Sequence, residues 1–460
     1  MQYISTRGAA PELNFEEAML AGLARDGGLY VPKALPKFDS KFISSLGHLS
    51  YEEIAFKIMK PFVGEVFEEV EFKNIIYQSY SNFIHHSKAP LRQLSEKHYL
   101  LELYHGPTLA FKDFAMQLIG QLFRASLKKI GKRVTIIGAT SGDTGSAAIE
   151  AFKGLEAVDV FILYPRGRVS EVQRRQMSTP SATNVHAISI DGDFDDCQKA
   201  LKDLFNDLKF RDQVNLSGVN SINWARIIAQ AVYYFYTYFL IKDKKSINFS
   251  VPTGNFGDVY AGYLSKKMGL PINKFIVATN KNDILHRAIS NGNYKAESVS
   301  ETNSPSMDIQ IASNFERLIY DLNNCDDDGT RKIMHGIKEK GKYIISKDKM
   351  KKINEDFLSA SMSEKEILDT IKEVQVKYSI ILDPHSAIGF GSLNKVNLEG
   401  NNVVLATAHP CKFPEAIDKS IGIKPDLPDE LKYVMGEKEN YDIISNNLSK
   451  TKQYIKEKIE

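Results

Sequence analysis

The sequence has few of the features that mark a specialised class of protein. Only three cysteines occur in 460 residues, and Cys197, Cys325 and Cys411 are far apart. A disulfide framework or a structural metal site is therefore not expected, and reduced thiols favour a cytoplasmic location. The 59 basic and 57 acidic residues nearly balance, so the formal net charge of +2 does not favour binding to nucleic acid or to a membrane.

Long apolar runs are absent as well. The longest uncharged stretch, residues 227–241, contains Gln230, Thr237 and several tyrosines. It falls short of the roughly 20 apolar residues that a membrane span needs, so it is predicted to form a buried helix. The acidic first twenty residues lack a basic start followed by an apolar stretch, so no signal peptide is expected.

Short Val- and Ile-rich segments alternate with helical patterns over most of the chain. This alternation predicts an α/β fold with mostly parallel, twisted sheets in two lobes, flanked by helices. Strands are predicted at residues 133–138, 158–164, 186–190, 247–251, 275–279 and 403–406. Two charged segments, residues 350–378 and 437–460, are predicted to be solvated helices.

The predicted organisation has three parts. Residues 1–95 form a mainly helical N-terminal region, and residues 96–245 and 246–460 form the two lobes, with segments exchanged between them. No internal repeat is visible.

Three loops, each between a strand-like run and a helical pattern, carry small and hydroxyl-bearing residues. They lie at residues 139–145 (Ala-Thr-Ser-Gly-Asp-Thr-Gly), 220–226 (Asn-Ser-Ile-Asn-Trp-Ala-Arg) and 252–258 (Pro-Thr-Gly-Asn-Phe-Gly-Asp). None matches the dinucleotide fingerprint GxGxxG or the phosphate loop GK[ST]. The first is either an ordinary helix cap or a site that binds a carboxylate or phosphate. The third is either a tight turn between strand and helix or a site where N–H groups at a helix start meet an anion. Three in one chain favour two anionic ligands.

Lys112 precedes an amphipathic helix and has apolar neighbours, among them Leu109 and Phe111. Desolvation and the positive end of the helix dipole both disfavour an ammonium group, so the pKa of this amine should be lowered. A neutral amine is what a lysine nucleophile requires. The alternative interpretation is a solvated surface lysine.

His409 and Arg226 are the other candidates. His409 lies just after the strand-like run that ends at residue 406, where open α/β sheets bind their ligands. It is either a general base or, more simply, a histidine bonded within its loop. Arg226 either binds an anion with its guanidinium fork or forms a salt bridge within its helix.

Together these segments resemble the threonine synthase family, pyridoxal-phosphate enzymes of the tryptophan synthase β-like group (fold type II). The resemblance rests on residues 105–114 (His-Gly-Pro-Thr-Leu-Ala-Phe-Lys-Asp-Phe), 141–145, 220–226, 254–258 and 407–410 (Thr-Ala-His-Pro). The opening residues 3–8 and 26–32 are similar to that family's start. Each glycine turn is a weak signal alone, but their joint order is specific.

The resemblance implies roles for individual residues. Lys112 would be the catalytic lysine that captures the aldehyde of pyridoxal 5'-phosphate, and Thr407 would face the pyridine nitrogen. The cofactor phosphate would be held by the backbone of Gly254, Asn255, Phe256, Gly257 and Asp258. The substrate carboxylate and the cofactor edge would meet Ser141, Gly142, Asp143 and Thr144, and the substrate phosphate would meet Thr144, Asn220, Ser221 and Arg226. Asp143 stands where many relatives of the wider group carry an amide.

The implied reaction converts O-phospho-L-homoserine and water to L-threonine and phosphate, with Lys112 transferring most of the protons and the released phosphate as another candidate base. Within the same fold, the alternatives are threonine or serine dehydratase and a phospho-lyase. From another class, the alternative is a non-catalytic nucleotide- or anion-binding module.

Overall fold

The computed structural model describes residues 1–396 and 398–459. The strands within these residues are β1 (Tyr3–Ser5), β2 (Tyr30–Pro32), β3 (Leu91–Gln93), β4 (His98–Glu102), β5 (Val134–Ala139), β6 (Val158–Pro165), β7 (Val185–Asp191), β8 (Leu216–Ser217), β9 (Ile247–Pro252), β10 (Phe275–Thr279), β11 (Asn293–Lys295), β12 (Lys342–Ile344), β13 (Phe357–Ser361), β14 (Asn401–Ala406) and β15 (Asp442–Ser445). All six predicted strands are present, with ends that differ from the prediction by at most two residues.

The α-helices of the described residues surround these strands. They are α1 (Phe15–Ala21), α2 (Ser40–Ser45), α3 (Tyr51–Val63), α4 (Glu69–Tyr80), α5 (Lys112–Ile130), α6 (Asp143–Phe152), α7 (Glu171–Ser178), α8 (Phe194–Asn206), α9 (Leu208–Gln213), α10 (Trp224–Leu240), α11 (Gly257–Lys267), α12 (Ile284–Asn291), α13 (Phe315–Leu322), α14 (Asp327–Lys340), α15 (Lys347–Asp356), α16 (Glu364–Tyr378), α17 (Pro384–Leu393), α18 (Pro414–Ile421), α19 (Asp429–Lys432) and α20 (Leu448–Ile459).

Two large sheets organise the molecule. One has six strands in the order β13-β10-β9-β14-β4-β3, parallel except for the antiparallel pair β3–β4. The other has five parallel strands in the order β15-β7-β6-β5-β8. The two-lobed α/β architecture is therefore confirmed. The strand β4 joins the sheet of β9 and β14, and β15 joins the sheet of β7, so both pairings cross the predicted lobe boundaries.

The core follows from the two-residue period of the strands. In β5, Ile136 faces a central core that also contains α5 and α10, and its neighbour Ile137 faces an outer core under α8 and α20. In β14, Val403 faces the central core and Val404 an outer core under α16 and α17. Because helices cover both faces, these strands are apolar throughout instead of alternating.

The helix α10 lies within the central core, as predicted for the uncharged run. It is apolar on most sides, and Trp224, Ile228 and Tyr233 are all buried. In the part of the chain that the structure describes, no helix combines the length and the apolar character that a membrane crossing requires.

The two charged segments are helical in part, as predicted, through α15, α16 and α20, but each also contains a strand that the prediction missed. Residues 350–378 include β13, an edge strand whose only buried side chains are Phe357 and Ala360. Residues 437–460 include β15, another edge strand in which Ile444 alone is buried. Edge strands bury few side chains, so their apolar signal was too weak to interrupt the charged pattern.

Candidate active site

The candidate site lies where loops after β5, β9 and β14 meet the start of α5. Two backbone hydrogen bonds join the segment before Lys112 to the segment after β14. The Phe111 N–H donates to the Thr407 carbonyl (2.8 Å), and the His409 N–H donates to the Leu109 carbonyl (3.0 Å). Leu109 adopts a left-handed conformation with φ of 58° to make this turn. These bonds bring Lys112 and Thr407 close together. Both are predicted site residues, and they are 295 positions apart in the sequence.

The first part of the site, here the amine end, consists of Lys112, Asp143, Gln173 and Lys412. The Lys112 side chain is buried, and its Nζ lies 3.3 Å from Asp143 Oδ2. Burial lowers the pKa of Lys112, and the charges of Lys412 and Arg226 lower it further, against the opposing effect of Asp143. The desolvated amine predicted from the apolar neighbours is therefore present in the structure.

Asp143 is the centre of the amine end. Its Oδ1 accepts from Gln173 Nε2 (2.8 Å) and lies 2.9 Å from Lys412 Nζ. Burial alone would raise the pKa of Asp143, but the ammonium groups of Lys412 and Lys112 hold it well below its usual range. The sequence did not indicate which group Asp143 contacts. It also did not point to Gln173 or Lys412 as site residues, although Lys412 is only five residues after Thr407.

The loop that carries Asp143 is closed by Thr140, whose Oγ1 accepts from the N–H groups of Gly142 and Gly145, both at 2.9 Å. Gly142 has φ of 133°, and a Cβ there would overlap the Gln173 side chain. Glycine is therefore needed for the approach of Gln173 to Asp143. Ser141 and Thr144 lie on the same turn and are partly exposed.

The second part of the site, here the anion end, consists of the N–H groups of residues 254–259 and the side chain of Arg226. These six N–H groups donate to no acceptor among the residues that the structure describes, and no side chain caps α11. Phe256 turns the chain with φ of 63°, and its ring packs in the core 5.3 Å from that of Phe315. The loop of residues 254–259, here the cradle, thus presents backbone N–H groups and not side chains to an anion.

The Asp258 carboxylate is bonded to two tyrosines of α10. Its Oδ1 accepts from Tyr233 Oη (2.5 Å) and Tyr234 Oη (2.9 Å) on α10. Burial raises the pKa of Asp258 to about 6, although both hydroxyls favour the charged form.

Arg226 is 3% exposed and forms no ion pair with any residue that the structure describes. Its Nη1 donates to the Val219 carbonyl (3.4 Å), and its Nε has no partner in the described chain. Burial lowers the pKa of Arg226 to about 10. The interpretation as a salt-bridged helix residue is therefore wrong, and a buried unpaired guanidinium indicates an anion site.

The loop at residues 220–226 lies against the cradle. A Cβ built on Gly257 would lie 3.7 Å from Ser221 Cβ, and one built on Gly138 would lie 3.9 Å from Asn220 Oδ1. Asn223 caps α10 and donates to the Met19 and Gly218 carbonyls. The loop is therefore fixed at its middle, while Asn220 and Ser221 stand between the ends of β5 and α11.

Sequence reasoning missed the segment that joins the cradle to this loop. The Asn314 N–H donates to the Asn255 carbonyl (3.0 Å), and Asn314 Nδ2 donates to the Ser221 carbonyl (3.2 Å). Arg317 donates to the Ile222 carbonyl (2.6 Å) and its guanidinium lies 5.4 Å from the Trp224 ring. Residues 290–350 carry no recognisable motif, so no sequence signal marked these positions.

Three residues at the start of α17, which the sequence did not mark as part of the site, fix the position of Thr407. The Thr407 N–H donates to Ser386 Oγ (3.0 Å), and Ser386 Oγ donates to the buried carboxylate of Asp383. His385 Nδ1 lies 2.8 Å from Asp383 Oδ1. These bonds fix the backbone of Thr407 and leave its hydroxyl without a partner among the described residues.

His409 fits the simpler of its two interpretations. Its Nδ1 accepts from the Cys411 N–H (3.2 Å), so it caps the turn after β14. Burial lowers the pKa of His409 to about 4, so the ring is neutral at pH 7. His409 therefore stabilises its own loop, and it forms no hydrogen bond with Lys112 in the structure that is described.

The donor set suits a phosphorylated aldehyde. Lys112 supplies a buried amine, residues 254–259 supply unused N–H groups, and Thr407 supplies a free hydroxyl. Arg226 remains available for a second anion. Pyridoxal 5'-phosphate fits this arrangement. Among the described residues, no group of three or more His, Cys, Asp or Glu side chains is placed to hold a metal ion.

The family profiles that match the chain agree with this chemistry. Residues 2–80 match the profile "Threonine synthase N terminus", residues 84–408 match "Pyridoxal-phosphate dependent enzyme", and residues 386–455 match "Threonine synthase, C-terminal".

Individual relatives match nearly the whole chain. The threonine synthase of Pseudomonas aeruginosa is 48% identical over 459 residues, which are 99% of this chain and 98% of that protein. The threonine synthase of Saccharomyces cerevisiae is 41% identical, covering 94% and 92%. The crystal structure of pyridoxal-phosphate-bound threonine synthase from Brucella melitensis has a TM-score of 0.95 and 48% identity, covering 100% of this chain and 99% of that one.

Proposed function

The chain belongs to the threonine synthase family of pyridoxal-phosphate-dependent lyases, and from that membership we propose that its substrate is O-phospho-L-homoserine. The products are L-threonine and phosphate. The observation that carries the proposal is that the anion end offers two kinds of donor without an acceptor among the described residues, the 254–259 N–H groups and the Arg226 guanidinium, beside one buried amine. A phosphorylated cofactor and a phosphorylated substrate would use both.

Residues of both ends of the site would hold the cofactor. Lys112 would bind its aldehyde carbon, the backbone of residues 254–258 would hold its phosphate, and the Thr407 hydroxyl would meet its pyridine nitrogen. Asp143 would face its edge. When bound, pyridoxal phosphate supplies an electron sink for negative charge that develops on the substrate carbons. A hydroxyl partner in place of a carboxylate leaves the pyridine nitrogen largely neutral.

Substrate binding uses residues of both ends of the site. The N–H groups and hydroxyls of Ser141, Gly142, Asp143 and Thr144 take the substrate carboxylate. Thr144, Asn220, Ser221 and Arg226 take the substrate phosphate. Because the leaving phosphate carries its charge in both substrate and product, Arg226 binds the substrate and also orients the Cγ–O bond that breaks.

Lys112 transfers the protons. With the cofactor bound to the substrate amine, the free Nζ of Lys112 would remove the Cα proton and then a Cβ proton, and it would return protons to Cγ and Cα. The Cγ–O bond would break as phosphate leaves, water would form the new Cβ–O bond, and the proton that this water releases would end on the departed phosphate. The atoms balance, since Cβ exchanges one hydrogen for a hydroxyl and Cγ exchanges phosphate for a hydrogen.

The remaining proposals concern the setting of the enzyme. The three cysteines are unpaired, with Cys197 and Cys411 buried, which fits a reducing, cytoplasmic compartment. No nucleic acid or membrane partner is proposed. The division into residues 1–95, 96–245 and 246–460, with segments exchanged between the lobes, also stands as a proposal.

Product analysis tests the function. Purified protein with pyridoxal phosphate is incubated with O-phospho-L-homoserine, and amino acids and phosphate are quantified. We expect threonine and phosphate in equal amounts. The same protein is offered L-threonine and L-serine as controls. Formation of a 2-oxo acid and ammonia from those amino acids, with no threonine from phosphohomoserine, would instead indicate a dehydratase.

A further inference from the structure

A second lysine, Lys412, is buried in the amine end of the site. The Lys412 side chain is fully inaccessible. Its Nζ donates to the Thr108 carbonyl (2.7 Å) and lies 2.9 Å from Asp143 Oδ1. The turn that contains Lys412 follows β14 directly, so it shares the rigid support of Thr407.

Two lysine side chains therefore share one carboxylate. Lys412 is nearest to Oδ1 of Asp143, and Lys112 is nearest to Oδ2, at the longer distance of 3.3 Å. Gln173 adds a third donor to Oδ1. An isolated Asp143 carboxylate would hold Lys112 as an ammonium, because an opposite charge at this distance favours the protonated amine. Capture of an aldehyde needs the neutral amine instead.

We propose that Lys412 is a positioning residue: its ion pair fixes Asp143 and neutralises its charge, so that the carboxylate orients the Lys112 amine without keeping it protonated. The inference rests on the proposed role of Lys112 as the lysine that captures the cofactor. It gives the fully buried lysine a function through Asp143, without contact with substrate or cofactor.

Other charged groups surround this set and enter the expected pH dependence. Those that act on Lys112, Asp143 or Lys412 from neighbouring elements are Asp113, Arg226, Asp258, His385, His409 and Cys411. None of them is altered in the variants below, so their contributions are common to all the proteins compared.

The test measures how fast full-length protein stripped of cofactor captures added pyridoxal phosphate, by stopped-flow absorbance across a pH series. The Lys412→Gln variant keeps a donor for the Thr108 carbonyl but removes the charge. We expect the midpoint of its pH–rate profile to rise by about one unit, which slows capture about tenfold below the midpoint. Lys412→Arg should stay near the wild-type midpoint, and so should Lys424→Met, which removes an exposed lysine.

A double variant tests whether Lys412 acts through Asp143. If it acts chiefly through Asp143, adding Lys412→Met should change the pH–rate midpoint of Asp143→Asn by less than about 0.3 units, the part that the Lys412 charge contributes to Lys112 directly. This comparison also serves if Lys412→Gln fails to fold, because the double variant removes Lys412 and its carboxylate partner together. A change of about one unit in the Asp143→Asn background would mean that Lys412 acts independently of Asp143, and the inference would be wrong.

Failure of the inference is distinguishable from failure of the proposed function. A midpoint of Lys412→Gln within about 0.2 units of wild type, with capture abolished in Lys112→Ala, overturns the role of Lys412 only. Capture that persists in Lys112→Ala overturns the assignment of Lys112 itself.

Discussion

At the amine end of the site, Lys112, Lys412 and Gln173 each lie within hydrogen-bond distance of the Asp143 carboxylate. At the anion end, Arg226 and the N–H groups of residues 254–259 have no anionic partner in the described chain. The first set is complete before any ligand binds, and the second is complete only with an anion. Since a buried donor without a partner costs about 1–3 kcal/mol, the ligands should contribute more to stability at the anion end.

Loss of the amine itself should have the largest effect. Lys112→Ala should lower kcat at least about a thousandfold, because covalent capture and proton transfer are both removed. The visible absorption of the bound cofactor should change as well. Steady-state kinetics and absorbance spectra check this, with Lys128→Ala, an exposed lysine on α5, as the matched control. An unchanged spectrum and rate in Lys112→Ala would assign the chemistry to another residue.

Breaking the paired set should destabilise the protein without any ligand. Asp143→Asn leaves Lys412 buried without a carboxylate, which should cost about 3–5 kcal/mol of the unfolding free energy. Urea denaturation of the cofactor-free protein measures this cost, and Asp418→Asn on the exposed side of α18 provides the control. If the two variants were equally stable, the amine end would not be the preorganised set described here.

The same experiment on Arg226 should give the opposite result. Arg226→Met removes a buried charge that has no partner, so the cofactor-free protein should be as stable as wild type or more stable. Its KM for O-phospho-L-homoserine should rise about 10- to 100-fold, because a charge-assisted bond to phosphate is lost. Arg124→Met, an exposed arginine on α5, is the control. Strong destabilisation with an unchanged KM would remove Arg226 from the anion end.

The smallest effect concerns two buried carboxylates, one near each end. Burial raises the pKa of Asp258 and that of Asp113 to about 6. A carboxyl group whose pKa is higher in the folded state stabilises the protein below about pH 4, and this stabilisation is lost as the pH rises through about 6. Between about pH 4 and about pH 6, the unfolding free energy of Asp258→Asn should therefore fall by about 2 kcal/mol less than that of wild type.

Denaturation at several pH values, with and without inorganic phosphate, checks this last prediction. Phosphate at the cradle should shift the Asp258 transition toward higher pH, while the transition that remains in Asp258→Asn, assigned to Asp113, should be unaffected. Identical phosphate shifts in wild type and Asp258→Asn would place the bound anion elsewhere.

The sequence predicts the anion end better than the amine end. Glycine turns and a helix start are local, so residues 254–258 could be recognised from consecutive positions. The amine end depends on contacts between distant parts of the chain: Lys412 meets Asp143 only because β14 and β5 end at neighbouring places. Such pairs leave no periodic pattern, and one lysine among many charged residues is inconspicuous.

Supporting residues were hidden for a similar reason. Asn314 and Arg317 act on the backbones of Asn255, Ser221 and Ile222, so their partners are groups that every residue carries. The strand positions were predictable because buried parallel strands are apolar on both faces. The edge strands β13 and β15 were not, since they bury only one or two side chains.

Mapping the covalent site tests the central claim most directly. The holoenzyme is reduced with borohydride, digested, and the cofactor-labelled peptide is sequenced by mass spectrometry. The account predicts one label, on Lys112, in wild type and also in Arg226→Met. A label on Lys412, the other buried lysine of the amine end, or the absence of any label, would contradict it.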